Sequence, residues 1–227
     1  FSLQLTTGVL QQVGNTFGPA AGEVTGGFPC ALVFWLGRLW ACQQPGTGIG
    51  VTGAIVSIRP GLDTTWTTDV TLPSNLVGVS LAVFNGELYV GCAGNQTAAT
   101  TPTEIRKRTT AGAWSTSEVS TSTDTSNAQV QRYQSLMVYQ SALYALHGDF
   151  SIAHVRRFNG SSWSTDKDLD ATWGTGGDGM FLEYKSNLYF VQRNAATYRI
   201  LRRVSGTWAS VDAPGVELRG ALGILKA

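Results

Sequence analysis

Tyr184-Lys185-Ser186-Asn187-Leu188-Tyr189 reads as a strand ending on an aromatic, a polar turn, and a second strand opening on Leu-Tyr. Beyond it lie Ile200-Leu201-Arg202-Arg203-Val204, the dipeptide Ser205-Gly206 and Thr207-Trp208. Ser-Gly between two β-rich runs signals a short hairpin, so the unit is a four-stranded antiparallel meander. The same unit recurs. Trp35-Leu36-Gly37-Arg38-Leu39-Trp40 leads to Ile58-Arg59 and Trp66, and Phe84-Asn85-Gly86-Glu87-Leu88-Tyr89 leads to Ile105-Arg106-Lys107-Arg108 and Trp114. Tyr139-Gln140-Ser141-Ala142-Leu143-Tyr144 leads to Val155-Arg156-Arg157-Phe158 and Trp163.

The repeating Leu steps by 49, 55 and 45 residues and the Trp by 48, 49 and 45. Four strands at a period of about 40–50 residues mark propeller blades, not a helical solenoid. The two ends supply a further unit. Leu10 to Phe17 aligns with Leu201 to Trp208, and Ala221 to Leu225 aligns with the first strand of a unit at Ser80 to Phe84. The expected fold is therefore all-β: a single five-bladed propeller over residues 1–227, closed by pairing the C-terminal strand with the N-terminal strands. Its blades fall at about 28–70, 77–118, 133–167 and 178–212, with a split blade from 1–17 and 217–227. The repeating Leu32, Leu81, Leu136, Phe181 and Leu222, and the aromatics Trp35, Phe84, Tyr139 and Tyr184, are expected core.

Only 14% of the 227 residues are charged and the net charge is +1. No global field then selects nucleic acid, and no apolar run is long enough for a bilayer helix. Nucleic acid and membrane insertion are both excluded as partners. A start at Phe1 and not Met suggests a removed leader or precursor, and an extracellular, secreted or virion-associated location is expected. Of the three cysteines, a regular hairpin register places Cys30 opposite Gln43 and Cys42 opposite Ala31. The two sulfurs then point to opposite faces, which disfavours a bridge unless a bulge intervenes. The basic pairs before the last hairpin are expected to stack on the repeating Trp.

Loops after second strands and the blade-to-blade connectors share one face of such a ring. They gather Gln43, Gln44, Asn95, Arg132, Tyr133, His147, Asp149, Asp178, Gln192 and Arg193 as candidate ligand-binding residues. Amide, imidazole and carboxylate groups beside aromatic rings suit a polar ligand such as a sugar. No catalytic elbow, phosphate loop or cofactor fingerprint occurs, so no cofactor is expected. His147, Asp149 and His154 are too loosely spaced to read as metal ligands. Glycoside hydrolysis needs two carboxylates at one bond, and only Asp178 and Glu217 fall at the channel mouth.

The aromatic-x-Gly-x-Leu-Tyr and Ile-x-Arg-x-x-Gly-x-Trp patterns resemble the kelch-like propeller group. In size and blade number the chain is similar to tachylectin-2-type lectins and to propeller modules of phage or secreted adhesive proteins. These resemblances imply a non-enzymatic module binding a glycan or cell-surface receptor. The alternative is a structural subunit of a larger assembly, such as a virion or phage tail, whose partners are neighbouring subunits. A glycoside hydrolase is placed third, for want of acids.

Overall fold

The computed structural model describes residues 3–6, 9–12, 28–44, 52–73, 76–94, 103–120, 132–148, 153–169, 178–194 and 197–211. Every element among them is a strand. Strands β1 (Leu3–Thr6) and β2 (Val9–Gln12) pair as a hairpin. The remaining sixteen strands form four antiparallel meanders. Sheet one comprises β3 (Phe28–Trp35), β4 (Arg38–Gln44), β5 (Ala54–Ile58) and β6 (Thr67–Thr71). Sheet two comprises β7 (Leu76–Phe84), β8 (Glu87–Gly94), β9 (Glu104–Arg108) and β10 (Trp114–Val119). Sheet three comprises β11 (Arg132–Tyr139), β12 (Ala142–Gly148), β13 (Ala153–Phe158) and β14 (Trp163–Leu169), joined to sheet two by the single pair Arg132–Ala93. Sheet four comprises β15 (Asp178–Tyr184), β16 (Asn187–Asn194), β17 (Thr197–Val204) and β18 (Thr207–Ser210).

The first strands stand side by side: β7 packs on β3 and β4, β11 on β7 and β8, and β15 on β11 and β12. This is propeller packing, each sheet standing face-on to the next. Residues 13–17 and 212–227 lie outside the described residues, and with them Phe17, Glu217, Leu222 and the expected closing strand.

Each sheet folds where its turn chemistry allows. Leu36-Gly37, Asn85-Gly86, Gln140-Ser141, Lys185-Ser186 and Ser205-Gly206 all carry positive φ at both turn residues. That is the mirror-image turn whose twist matches paired strands, and it fixes the register beyond it. The repeating Leu then falls opposite one residue of the third strand in every sheet: Leu39–Ile58, Leu88–Arg108, Leu143–Phe158 and Leu188–Arg203.

Three apolar cores lie between consecutive sheets. Trp35, Trp40, Cys42 and Ile55 of sheet one meet Leu76, Leu88, Val90 and Cys92 of sheet two. Ala82, Phe84, Tyr89 and Ile105 meet Tyr133, Leu143, Ala145 and Phe158. Tyr139, Tyr144, Leu146 and Val155 meet Phe181, Leu188, Phe190 and Leu201. Sheets come close enough that a Cβ added to Gly91 would fall on Ser80 Oγ and the Tyr133 carbonyl oxygen. A hydrogen bond from Ser80 Oγ to that carbonyl, 2.9 Å, holds the approach.

A polar clamp flanks these cores. In the outermost strands of sheets one to three the third residue after the repeating Trp is skipped by the ladder: Asp69, Ser117 and Asp166 are bulge residues. A bulge bends the strand and re-aims the extra side chain, here toward the next sheet. Asp69 accepts from Arg108 Nε (2.7 Å), Arg108 Nη2 (2.9 Å) and Trp114 Nε1 (2.8 Å). Asp166 accepts from Arg203 Nε (3.0 Å), Arg203 Nη2 (3.1 Å) and Trp208 Nε1 (2.6 Å). Between sheets two and three the plan is kept without charge: Ser117 Oγ accepts from Trp163 Nε1 at 3.1 Å, and Phe158 stands where the arginine would be, stacked on Trp163.

Three expectations are corrected. Arg108 lies opposite Trp114 as expected, but its guanidinium covers Trp40 of the preceding sheet, 4.8 Å from the ring centroid, because Asp69 draws it across the interface. Leu32 is 43% exposed and Tyr184 36% exposed, since they lie on faces of sheets one and four that no other described sheet covers. A bulge between Pro29 and Leu32 puts Pro29, not Cys30, opposite Gln43. The side chain of Cys30 lies outside the described residues, whereas Cys42 and Cys92 are buried.

Candidate functional site

Second strands end, and first and third strands begin, on one face of the ring, opposite the tight turns. The register brings several candidate residues together there. Gln43 and Gln44 fall opposite Pro29 and Phe28, Tyr133 opposite His147, Arg132 opposite Gly148, Asp178 opposite Arg193 and Gly179 opposite Gln192. The strand positions of Gln44, Arg132, Asp178, Gln192 and Arg193 are described, and their side chains are not. Asn95 and Asp149 lie outside the described residues.

The side chains that are described differ from the expectation of open ligand contacts. Gln43, Tyr133 and His147 are 4%, 1% and 5% exposed, so they belong to the packing beneath the face. Tyr133 is the first core residue of β11, and burial pushes its phenol above the ordinary tyrosine range, with Glu118 adding to the effect. Its ring lies 4.9 Å from that of His147. His147 Nε2 is 2.8 Å from Ser120 Oγ, at the point where the connector leaves sheet two. The Ser120 amide in turn donates to the Thr103 carbonyl (2.8 Å). On the other side, the His147 ring is parallel to that of His154, its cross-strand partner, with centroids 6.1 Å apart. His154 Nδ1 lies 2.7 Å from Asp168 Oδ1, whose side chain is 78% exposed.

A polar ladder therefore runs from buried Ser120 through two imidazoles to a carboxylate in solvent. It pins the start of the long connector to sheet three. Sequence reasoning singled out His147 but missed Ser120, Thr103 and Asp168, which sit in Ser/Thr/Asp-rich segments with no distinguishing pattern.

Nearby charges are paired in the same manner: Arg106 with Glu104 at 2.8 Å and Arg156 with Glu118. Among the described residues no group of three His, Cys, Asp or Glu side chains could hold a metal ion. Asp178 is the one expected reacting acid whose strand position is described. It opens β15 at the inner rim of the face, opposite Arg193 at the end of β16.

The sequence matches no protein-family model and no curated protein. Solved structures do superpose on it. An exo-β-1,3-galactanase from Phanerochaete chrysosporium, solved with β-1,3-galactotriose, aligns with TM-score 0.54 at 8% identity, over 88% of this chain and 53% of that one. A thermostable family-43 glycoside hydrolase aligns with TM-score 0.51 at 8% identity, over 84% of this chain and 77% of that one. The chain thus spans about half the length of the galactanase. At such identity the likeness establishes the propeller fold.

It also corrects the expectation drawn from the kelch and tachylectin resemblances. These neighbours are family-43 propeller glycoside hydrolases, not lectins or virion components, so a propeller of this size does not imply a non-enzymatic module. A low count of acids at the channel mouth is no argument against glycoside chemistry. Two correctly placed carboxylates suffice for glycoside cleavage.

Proposed function

We propose that this chain is a glycoside hydrolase propeller that cleaves a neutral glycan at the face carrying the starts of its first strands. The observation that carries the reading is the superposition over 88% of the chain on a propeller that handles β-1,3-galactan. A net charge of +1 fits a neutral substrate, since no field is present to gather an anionic one.

Asp178 has the first role. It opens β15, opposite Arg193 in the strand register. Asp178 is the proposed base that activates water. Glu217, beyond the described residues, is the proposed acid that protonates the departing glycosidic oxygen. Tyr133, His147 and Ser120 hold the rim of the face in place and do not touch substrate.

The test is direct. Purified protein is incubated with β-1,3-galactooligosaccharides and a panel of neutral aryl glycosides, and released sugar is read by chromatography with mass detection. Turnover is expected. Asp178→Asn should lower it by at least about 100-fold, as for loss of a general base, with an unchanged melting temperature. Silence on every probe at high protein concentration, or full turnover by the Asp178→Asn/Glu217→Gln double variant, refutes the reading.

A further inference from the structure

The chain contains two histidines, and both stand in one polar ladder. Histidine is the side chain whose ordinary value places its change of charge between about pH 5 and 8. His147 on β12 and His154 on β13 are cross-strand partners, with rings 2° from parallel and centroids 6.1 Å apart.

The two imidazoles meet different surroundings. His154 Nδ1 lies 2.7 Å from Asp168 Oδ1, and the Asp168 side chain is 78% exposed, so a cation there meets a carboxylate and water together. His147 is buried, with Nε2 2.8 Å from Ser120 Oγ and its ring against Tyr133. Tyr133 is kept a neutral phenol by its own burial. Among the described side chains on the elements packed around the pair, the other charges are matched. Glu118 of β10 pairs with Arg156 of β13, and on β9 Glu104 pairs with Arg106 and Lys107 with Glu87 of β8. A proton on His147 therefore takes a cation out of water. With His154 also charged, it sets two cations face to face 6.1 Å apart.

The same ladder is a joint. Ser120 follows β10 of sheet two, and its amide donates to the Thr103 carbonyl just before β9, whereas His147 belongs to sheet three. We propose that the folded protein admits one proton to this pair, carried by His154, and that a second, on His147, opens the joint between sheets two and three. The pair is an acid-sensitive latch. Its sign follows from burial. His147 stays neutral in the folded chain and takes up a proton in the unfolded one, so the unfolded state binds more protons and stability rises with pH. The contribution of the latch is complete about one pH unit above the ordinary histidine value of about 6.5, and it is lost progressively as pH falls through that value.

Two measurements test the latch. With only two histidines in the chain, ring 15N NMR spectra of the folded protein from pH 8 to 5 read each imidazole separately, assigned through the contact of His147 with Tyr133. His154 should move to the cationic shift while His147 keeps the neutral one. Both rings reaching the cationic form in the folded protein, neither doing so, or His147 alone doing so overturns the proposal. Thermal melting supplies the second reading, against His147→Gln, which removes the titrating ring and keeps a polar group toward Ser120. Excluding one proton down to pH 5 costs about 30-fold in the folding equilibrium, so relative to this variant the parent should lose about 4–8 °C between pH 7.5 and 5. A difference that stays flat across that range overturns the latch. If His147→Gln does not fold, the ring spectra of the parent decide.

Discussion

Asp166→Ala removes a single carboxylate that accepts three hydrogen bonds from the next sheet. The Asp166 and Arg203 side chains are 10% and 13% exposed, so water replaces little of what is lost. Stripping the partner from a buried charge costs about 3–5 kcal/mol. Arg203 keeps its place over the Tyr144 ring, 5.4 Å from the centroid, which offsets part of that penalty. The expected loss is about 3 kcal/mol, or about 6–12 °C in melting temperature. The protein itself contains the remedy, in the Ser117–Phe158–Trp163 arrangement one sheet earlier. Asp166→Ser with Arg203→Phe copies that arrangement, and it should return stability to within about 1 kcal/mol of the parent, because an apolar replacement of a buried ion pair is often neutral. Urea denaturation of the parent, both single variants and the double variant gives the coupling energy. A loss below about 1 kcal/mol for Asp166→Ala, or a double variant as unstable as the sum of its singles, would show that the clamp contributes no specific pairing.

Three further outcomes follow from particular contacts. Gly91→Ala should destabilise by about 1–3 kcal/mol or prevent folding, since the added methyl meets Ser80 and the Tyr133 carbonyl at a sheet interface; thermal melting reads it. Cys92 is buried, and burial pushes its thiol above the ordinary cysteine range, so it should resist alkylation at pH 8 in the folded protein and label fully in urea, by peptide mass mapping. Asp63 is held at about 2 by its bonds with Arg59. Its folded value is depressed, so its contribution is complete above the unfolded carboxylate value of about 3.9 and fades as pH falls toward 2. The melting difference between the parent and Asp63→Asn should be constant from pH 7 to 5, shrink from about pH 4 to 2, and vanish only below pH 2.

What the sequence disclosed was what repeats with a fixed count. Trp208 falls opposite Arg203, and Trp35 opposite Arg38, because a two-residue turn leaves no freedom in the register on either side. Bulges escaped notice because one inserted residue does not alter the alternation of neighbouring side chains enough to mark it. For that reason the spacing Trp-x-x-Asp, plain at Trp66–Asp69 and Trp163–Asp166, does not announce an interface device in the sequence. The candidate face was legible as a location only. Which of its polar residues point outward depends on packing beneath the rim, and His147 and Tyr133 turned out to be that packing.

The clamp made by the bulge residue runs charged, uncharged, charged from sheet one to sheet four, even though Glu118 and Arg156 pair elsewhere between sheets two and three. Each of these three clamps therefore fits one neighbour and not another. Shifting the whole set by one place would set Asp69 against a phenyl ring and leave Arg203 facing a hydroxyl. The order of the sheets around the axis is thereby written into side chains as well as into the chain's own connectivity, and an exchange of sheets between two molecules would be accepted only in frame.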